Sequence, residues 1–179
     1  KPEQPPTLDN FVVGANAELV ERLRNMGSTG SFEAIYLWGD PGCGKSHLLA
    51  ATTANAQSRR PVIHLRAAEA EAELPLATGS LLVIDDIQLL TRRECHELLR
   101  AIAEAVPDGS QVALLSRLEP PSWLARTRAE GRVFELGAAD LALDDAESCR
   151  LLEGLGASLS VDQAAELVTR AEGWPVGLY

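Results

Sequence analysis

The stretch Gly39-Asp40-Pro41-Gly42-Cys43-Gly44-Lys45-Ser46 limits what this chain can fold into more than any other. It follows the short apolar run "AIYLW" (34–38), which reads as a buried strand, and precedes "HLLAATTANAQ" (47–57), which continues as a helix. Glycines, lysine and serine fit G-x-x-x-x-G-K-[ST], a phosphate-binding pattern that needs a strand before it and a helix after it. Glycines let backbone N–H groups turn inward around a polyphosphate, and the helix adds the positive end of its dipole. Lys45 would then reach the β- and γ-phosphates, and the Ser46 hydroxyl would ligate Mg²⁺. The expected nucleotide contacts are Gly39, Asp40, Pro41, Gly42, Cys43, Gly44, Lys45 and Ser46. His47 is placed at the edge of that set, packing or capping rather than catalysing.

A second element supplies carboxylates. "SLLVIDD" (80–86) is the most strand-like run in the chain. Such a strand would carry Asp85 and Asp86 to its C-terminal edge, beside the phosphate loop of an open α/β sheet. Asp85 would hold Mg²⁺ through water, and Asp86 would orient or deprotonate the attacking water. Ser116 and Arg117 end the run "QVALLSR" (111–117), where a polar group can sense the γ-phosphate from a neighbouring strand. The catalytic set is therefore Asp86, Lys45 and Arg117.

"PVIHLR" (61–66) and "RVFEL" (132–136) complete five strand-like runs separated by helical ones. That alternation predicts a parallel sheet with helices on both faces, a three-layer α/β core. "NAELVERLRNM" puts Leu19, Val20, Leu23 and Met26 on one helical face, with Asn16 as its cap. "AAEAEAEL" reads as a short acidic helix or loop, and Cys95, Leu98, Leu99, Ile102 and Val106 share a helical face closed by "PDG". After Leu136 the strands stop. Two helices follow, opened by the capping-box pairs Asp144…Glu147 and Ser160…Gln163. The expected division is a nucleotide-binding core over 1–138 and a helical lid segment over 139–179, cut off in mid-pattern at "GWPVGLY".

Composition narrows the function classes. Hydrophobic residues make up 46% and charged residues 23%, a globular balance. The net charge of −10 argues against a broad nucleic-acid footprint, which needs clustered Lys and Arg, so any nucleic acid would meet another domain or subunit. No apolar run approaches the ~20 residues of a membrane span. Cys43, Cys95 and Cys149 form neither a metal cluster nor a disulfide framework, which fits a cytoplasmic setting.

Two family resemblances lie on different halves, both within the P-loop NTPases of the ASCE division. "LDNFVVGANAELV", "YLWGDPGCGKSHLLAA" and "VIDDIQLL" resemble the DnaA and Hda group of AAA+ ATPases, over residues 8–90 and including the Walker A and Walker B elements. That resemblance implies an adenine pocket formed in part by Val12 and Val13. "ALLSRLEPPSWLARTRAEGRVFEL", "LGASLS" and "RAEGWPVGLY", in residues 91–179, are similar to MalT-type LuxR regulators, which are STAND ATPases. This second resemblance implies Arg117 as a phosphate sensor and Gly173-Trp174-Pro175 as a G-x-P element, with Pro175 touching base or ribose. The arginine finger of the replication family has no counterpart in "WLARTRAEG", and the MalT-type phosphate loop reads differently from "GDPGCGKSH". A divergent protein and a chimera joined near residues 78–92 both fit, and the abrupt change of wording favours the chimera.

The resulting expectation is an ATP- or ADP-binding module with Mg²⁺, a weak ATPase acting as a slow switch inside a STAND-type transcription regulator. The alternative is a DnaA/Hda-like ATPase in the control of replication initiation. A purely structural nucleotide, and an adenylate-kinase-like enzyme using Arg126, Arg128 and Arg132 as an arginine-rich lid, are further classes.

Overall fold

The computed structural model describes residues 7–8, 17–24, 34–67, 77–104, 109–156 and 159–178. Val12, Val13, Asn16, Met26, Val106 and the acidic stretch after Ala67 lie outside them. Among the described residues, strands β1 (Ala34–Trp38), β2 (Val62–Arg66), β3 (Leu81–Asp85), β4 (Gln111–Ser116) and β5 (Val133–Leu136) form one parallel sheet in the order β2-β3-β4-β1-β5. Helices α1 (Ala17–Arg24), α2 (Lys45–Gln57) and α3 (Arg93–Glu104) cover it. β1, from the first family's wording, is paired on both sides by β4 and β5, from the second's. The two halves share one sheet.

The central strands β1, β3 and β4 are almost wholly apolar because both of their faces are covered, whereas the edge strands β2 and β5 carry His64, Arg66 and Glu135. Side chains alternate between faces along a strand, so each strand feeds two cores. Ile35, Leu37, Leu81, Val83, Ala113 and Leu115 pack with Val20 and Leu23 of α1 and Leu48 and Leu49 of α2. Tyr36, Leu82, Ile84, Val112 and Leu114 pack on the opposite face with Leu99 of α3 and Leu124. Leu48 and Leu81 are fully buried, and truncating either to alanine is expected to cost ~2–5 kcal/mol.

Leu98 departs from its expected place. Its spacing predicts a place on the buried face of α3, but it is 62% exposed while Leu99 is 5% exposed. Adjacent helical residues differ by about 100° around the axis. The buried stripe runs through Leu99, Ile102 and Ala103, which leaves Leu98 off its edge.

A short helix, α4 (Ala125–Ala129), precedes β5, and beyond that strand the described residues hold only helices: α5 (Ala138–Leu141), α6 (Asp145–Gly154) and α7 (Val161–Ala171), with a 3₁₀ turn at Pro175–Leu178. Both capping boxes form. The Asp144 carboxylate accepts from Glu147 N–H at 2.7 Å and the Ser160 hydroxyl from Gln163 N–H at 3.2 Å, and each is answered by the reciprocal bond. Leu152, Val168, Ala171 and Leu178 make a small core of their own.

Candidate functional site

The parallel arrangement brings every strand's C-terminus to one edge, and the glycine loop leaves from it. β1 is hydrogen-bonded on both flanks and almost wholly buried, so Gly39 starts from a rigid base. Gly39, Gly42 and Gly44 all have positive φ (145°, 93° and 95°), which a side chain would strain. A Cβ at Gly39 would also lie 2.9 Å from Ala138 Cβ and 3.1 Å from Cys43 Sγ. The loop is thus wedged between its own cysteine and the start of α5. Gly44 caps α2, and its carbonyl accepts the first helical bond, from Leu48 N–H at 2.9 Å.

The Lys45 ammonium lies across this loop. It donates to the carbonyls of Gly39 at 2.7 Å and Asp40 at 2.9 Å, and sits 3.3 Å from Cys43 Sγ. Asp40, Pro41, Gly42 and Ser46 are exposed, Gly44, Lys45 and His47 are half-buried, and Cys43 is buried. The loop and the first turn of α2 therefore offer a cation, exposed backbone and the exposed residue Ser46. Burial lowers the His47 imidazole pKa below its ordinary value, so it is neutral near pH 7 and Lys45 is the cation of this stretch.

The carboxylates reach the same edge, but not directly beside the loop as expected. β4 stands between β3 and β1: Ile84 pairs with Leu114, and Ser116 with Trp38. Strand order is set by packing, and the sequence carries no direct sign of it. Asp85 ends β3, and its Oδ1 accepts the N–H of Asp86 at 2.8 Å. Asp86 then takes a left-handed conformation (φ 58°, ψ 37°), which Asp tolerates because its carboxylate can bond locally.

Gln88 is the site residue that sequence reasoning passed over. Its Nε2 donates to Asp86 Oδ1 at 2.7 Å, and its Oε1 accepts the Arg117 N–H at 3.1 Å. It ties the end of β3 to the end of β4. It stood inside the quoted "VIDDIQLL", yet nothing in spacing says that a glutamine will span two strands.

At the end of β4 the Ser116 hydroxyl is buried and accepts the Leu118 N–H at 2.9 Å, whereas Arg117 is exposed. Below them the Tyr36 hydroxyl donates to the carbonyls of Leu118 at 3.1 Å and Glu119 at 3.4 Å, with burial raising its pKa. The loop that carries Arg117 is held down by a core tyrosine.

Pro175 comes to this edge from the helical segment. Its Cγ lies 4.0 Å from a Cβ built on Gly44. The turn that delivers it is fixed by Leu143 N–H donating to Gly173 O at 2.9 Å and by Trp174, which packs against the α1/α2 core. By contrast, Arg126 and Arg132 pair with Glu130, and Arg128 with Glu135, so these three arginines are committed to their own surface. Among the described residues no cluster of three or more His, Cys, Asp or Glu could hold a metal, and no helix is long and apolar enough to cross a membrane.

Comparisons with known proteins agree with the two resemblances. No protein-family model matches the chain. The HTH-type transcriptional regulator MalT of Vibrio campbellii is 35% identical over 97 residues, 54% of this chain and 11% of the regulator. Domain III of the Thermotoga maritima replication initiation protein DnaA superposes with a TM-score of 0.72 at 19% identity, over 99% of this chain and 86% of that one. AMPPCP-bound DnaA from Aquifex aeolicus gives 0.68 at 20% identity, over 97% of this chain and 62% of the other. The RuvB Holliday junction branch migration motor of Thermotoga maritima gives 0.64 at 18% identity, over 97% and 62%. The fold is that of AAA+ P-loop NTPase domains, with sequence similarity to MalT. The chain spans about a tenth of the length of the regulator it matches.

Proposed function

We propose that this chain binds ATP or ADP with Mg²⁺ and acts as a slow nucleotide-dependent switch within a STAND-type transcription regulator. One observation carries the reading: Pro175, from the helical segment, stands over Gly44, the last glycine of the loop that Lys45 spans. A nucleotide held by the loop would meet both core and helical segment, so its phosphate state would bear on where α6 and α7 sit. The similarity to MalT, a transcriptional regulator, supports that use of the site.

Each residue has a role under this reading. Lys45 exchanges its carbonyl partners for β- and γ-phosphate oxygens, and the backbone of Gly42 to Ser46 with the α2 N-terminus receives the rest of the chain of phosphates. The donor set fits Mg²⁺: Ser46 and Asp85 are hard oxygen ligands, Asp85 has only one oxygen tied to Asp86 N–H, and Mg²⁺ usually takes few protein ligands beside phosphates and water. Bound there, Mg²⁺ would neutralise charge on the β- and γ-oxygens. Asp86 accepts a proton from, or aligns, the attacking water, and Arg117 faces the γ-phosphate. Turnover is slow because an arginine supplied from another subunit can be worth ~10³–10⁵ in rate. Other domains or subunits of the regulator are the partners, and DNA contact belongs to them. A cytoplasmic setting fits the three free thiols.

A DnaA-like role in replication is the second reading, favoured by the phosphate-loop wording. The fold does not select it, because a replication initiator and a branch-migration motor match alike. Titration with fluorescent ADP and ATP, with and without Mg²⁺, tests the shared core of both readings. We expect Mg²⁺-dependent binding that Asp85→Asn weakens. No binding at millimolar nucleotide would overturn it.

A further inference from the structure

We infer that Gln88 is a positioning residue that sets the Asp86 carboxylate in register with the Arg117 loop, so that water activation and γ-phosphate sensing act as one unit. The inference rests on the ATP-cleaving reading of this edge and goes beyond it by naming what holds its two halves together.

The chemistry of the amide is the argument. Gln88 meets a carboxylate oxygen on one side, which can only accept, and a backbone N–H on the other, which can only donate. A side-chain amide is the one neutral group of that length that satisfies both, and the two partners fix which end is Nε2. Glutamate could still accept from Arg117 N–H, but it would face Asp86 with a second negative charge. Methionine would reach and satisfy neither.

The surroundings make the bridge necessary. Asp86 sits in a left-handed conformation at the start of a three-residue 3₁₀ turn (Ile87–Leu89), so its side-chain direction depends on local bonds. Asp85 restrains only its N–H, at 2.8 Å. The Arg117 loop is held from beneath by Tyr36 and by Ser116, both fixed in the sheet. Gln88 therefore links the Asp86 carboxylate to the anchored end of β4. β3 and β4 are neighbours in the sheet, and their pairing ends at Ile84–Leu114, so beyond it Gln88 joins the two chain segments through its side chain.

The test is single-turnover cleavage of Mg²⁺-ATP beside nucleotide titration, on the whole chain, for wild type, Gln88→Ala, Asp86→Asn and the double variant. We expect Gln88→Ala to slow cleavage about ten- to a hundredfold while binding changes less than about threefold, the scale on which outer-shell and small misplacements act. In the Asp86→Asn background the same change should have almost no further effect, because a residue acting through Asp86 has nothing left to position. Gln88→Met, of similar length, replaces Gln88→Ala should the latter fail to fold, and is expected to behave the same way. Cleavage by wild type with an unaffected Gln88 variant overturns this inference alone, as does a full additional loss on top of Asp86→Asn. Absence of cleavage by wild type overturns the ATPase reading and takes the inference with it.

Discussion

The two edges of the same sheet are built in opposite ways. At the edge where strands begin, polar groups close on one another. Arg60 donates to Gln111 Oε1 at 2.5 Å and to Gly109 O at 3.4 Å, Ser110 Oγ accepts from Ser80 N–H at 3.1 Å, and Gln111 N–H donates to Ser80 O at 2.9 Å. Ser80, Ser110 and Gln111 are buried there. At the edge where strands end, the loop turns on positive-φ glycines, Ser46 and Arg117 are exposed, and Lys45 is held by carbonyls that water or phosphate can replace. Buried polar groups must find fixed partners or destabilise the fold. The first edge meets most of that demand internally, with Arg60 Nε and Ser80 Oγ left buried without a partner among the described residues, whereas the second keeps its charged groups exchangeable. One edge is closed and the other open.

Asp86→Asn is the sharpest way to break that division. It should lower ATP cleavage about 10²–10⁴-fold, the range for a lost general base, while binding and melting temperature stay near wild type. Rapid-quench measurement of ADP formation decides it, and unchanged cleavage would remove Asp86 from the chemistry. Lys45→Ala comes next. It removes a charged contact to phosphate, so affinity should fall about a hundredfold. Its present partners, Gly39 O and Asp40 O, turn to water, so the far-UV circular dichroism should stay as it is. Near-wild-type affinity would end the clamp role.

Gln111→Ala probes the other edge and should do the reverse. It leaves the half-buried Arg60 guanidinium, whose pKa burial already lowers, without its carboxamide partner. The expected cost is about 1–3 kcal/mol, read as a drop in melting temperature of roughly 2–4 °C per kcal/mol for a chain of this size. Nucleotide affinity should not move. A loss of affinity without a loss of stability would show that the edges are not separable.

What the sequence made legible follows from the range of the interaction concerned. Strands such as "AIYLW" and "QVALLS" were readable because a fully covered sheet makes them continuously apolar, and Asp144 and Ser160 because a cap and its partner lie three residues apart. The placing of β4 between Asp85 and the loop was not readable, since strand order depends on how helices pack across the sheet. Leu98 went astray because spacing defines a helical stripe and leaves its centre open. Gln88, Gln111 and Tyr36 were missed for one reason: each acts on a residue far away in sequence, and only the folded sheet brings the two together.

The smallest expected effect concerns the helical segment, where the comparison of edges meets a third region. Pro175 reaches the open edge from outside the sheet, and its Cγ lies 4.0 Å from a Cβ built on Gly44. The contact is apolar, so it adds no specificity for phosphate, and Lys45 should hold the phosphates without it. Pro175→Ala removes two ring methylenes, each worth about 0.8 kcal/mol when fully buried. The proline is only half-buried, so the loss is about 1 kcal/mol, or about fivefold in affinity. Affinity changes in related complexes appear mostly in the off-rate. Stopped-flow release of labelled ADP should therefore run about fivefold faster in Pro175→Ala, with the association rate unchanged. Because Trp174 packs on the α1/α2 core and Gly173 O accepts from Leu143 N–H, the turn itself should keep its shape. Equal release rates would mean that Pro175 packs on the loop without touching the nucleotide, and the helical segment would then have no direct means of reading its state.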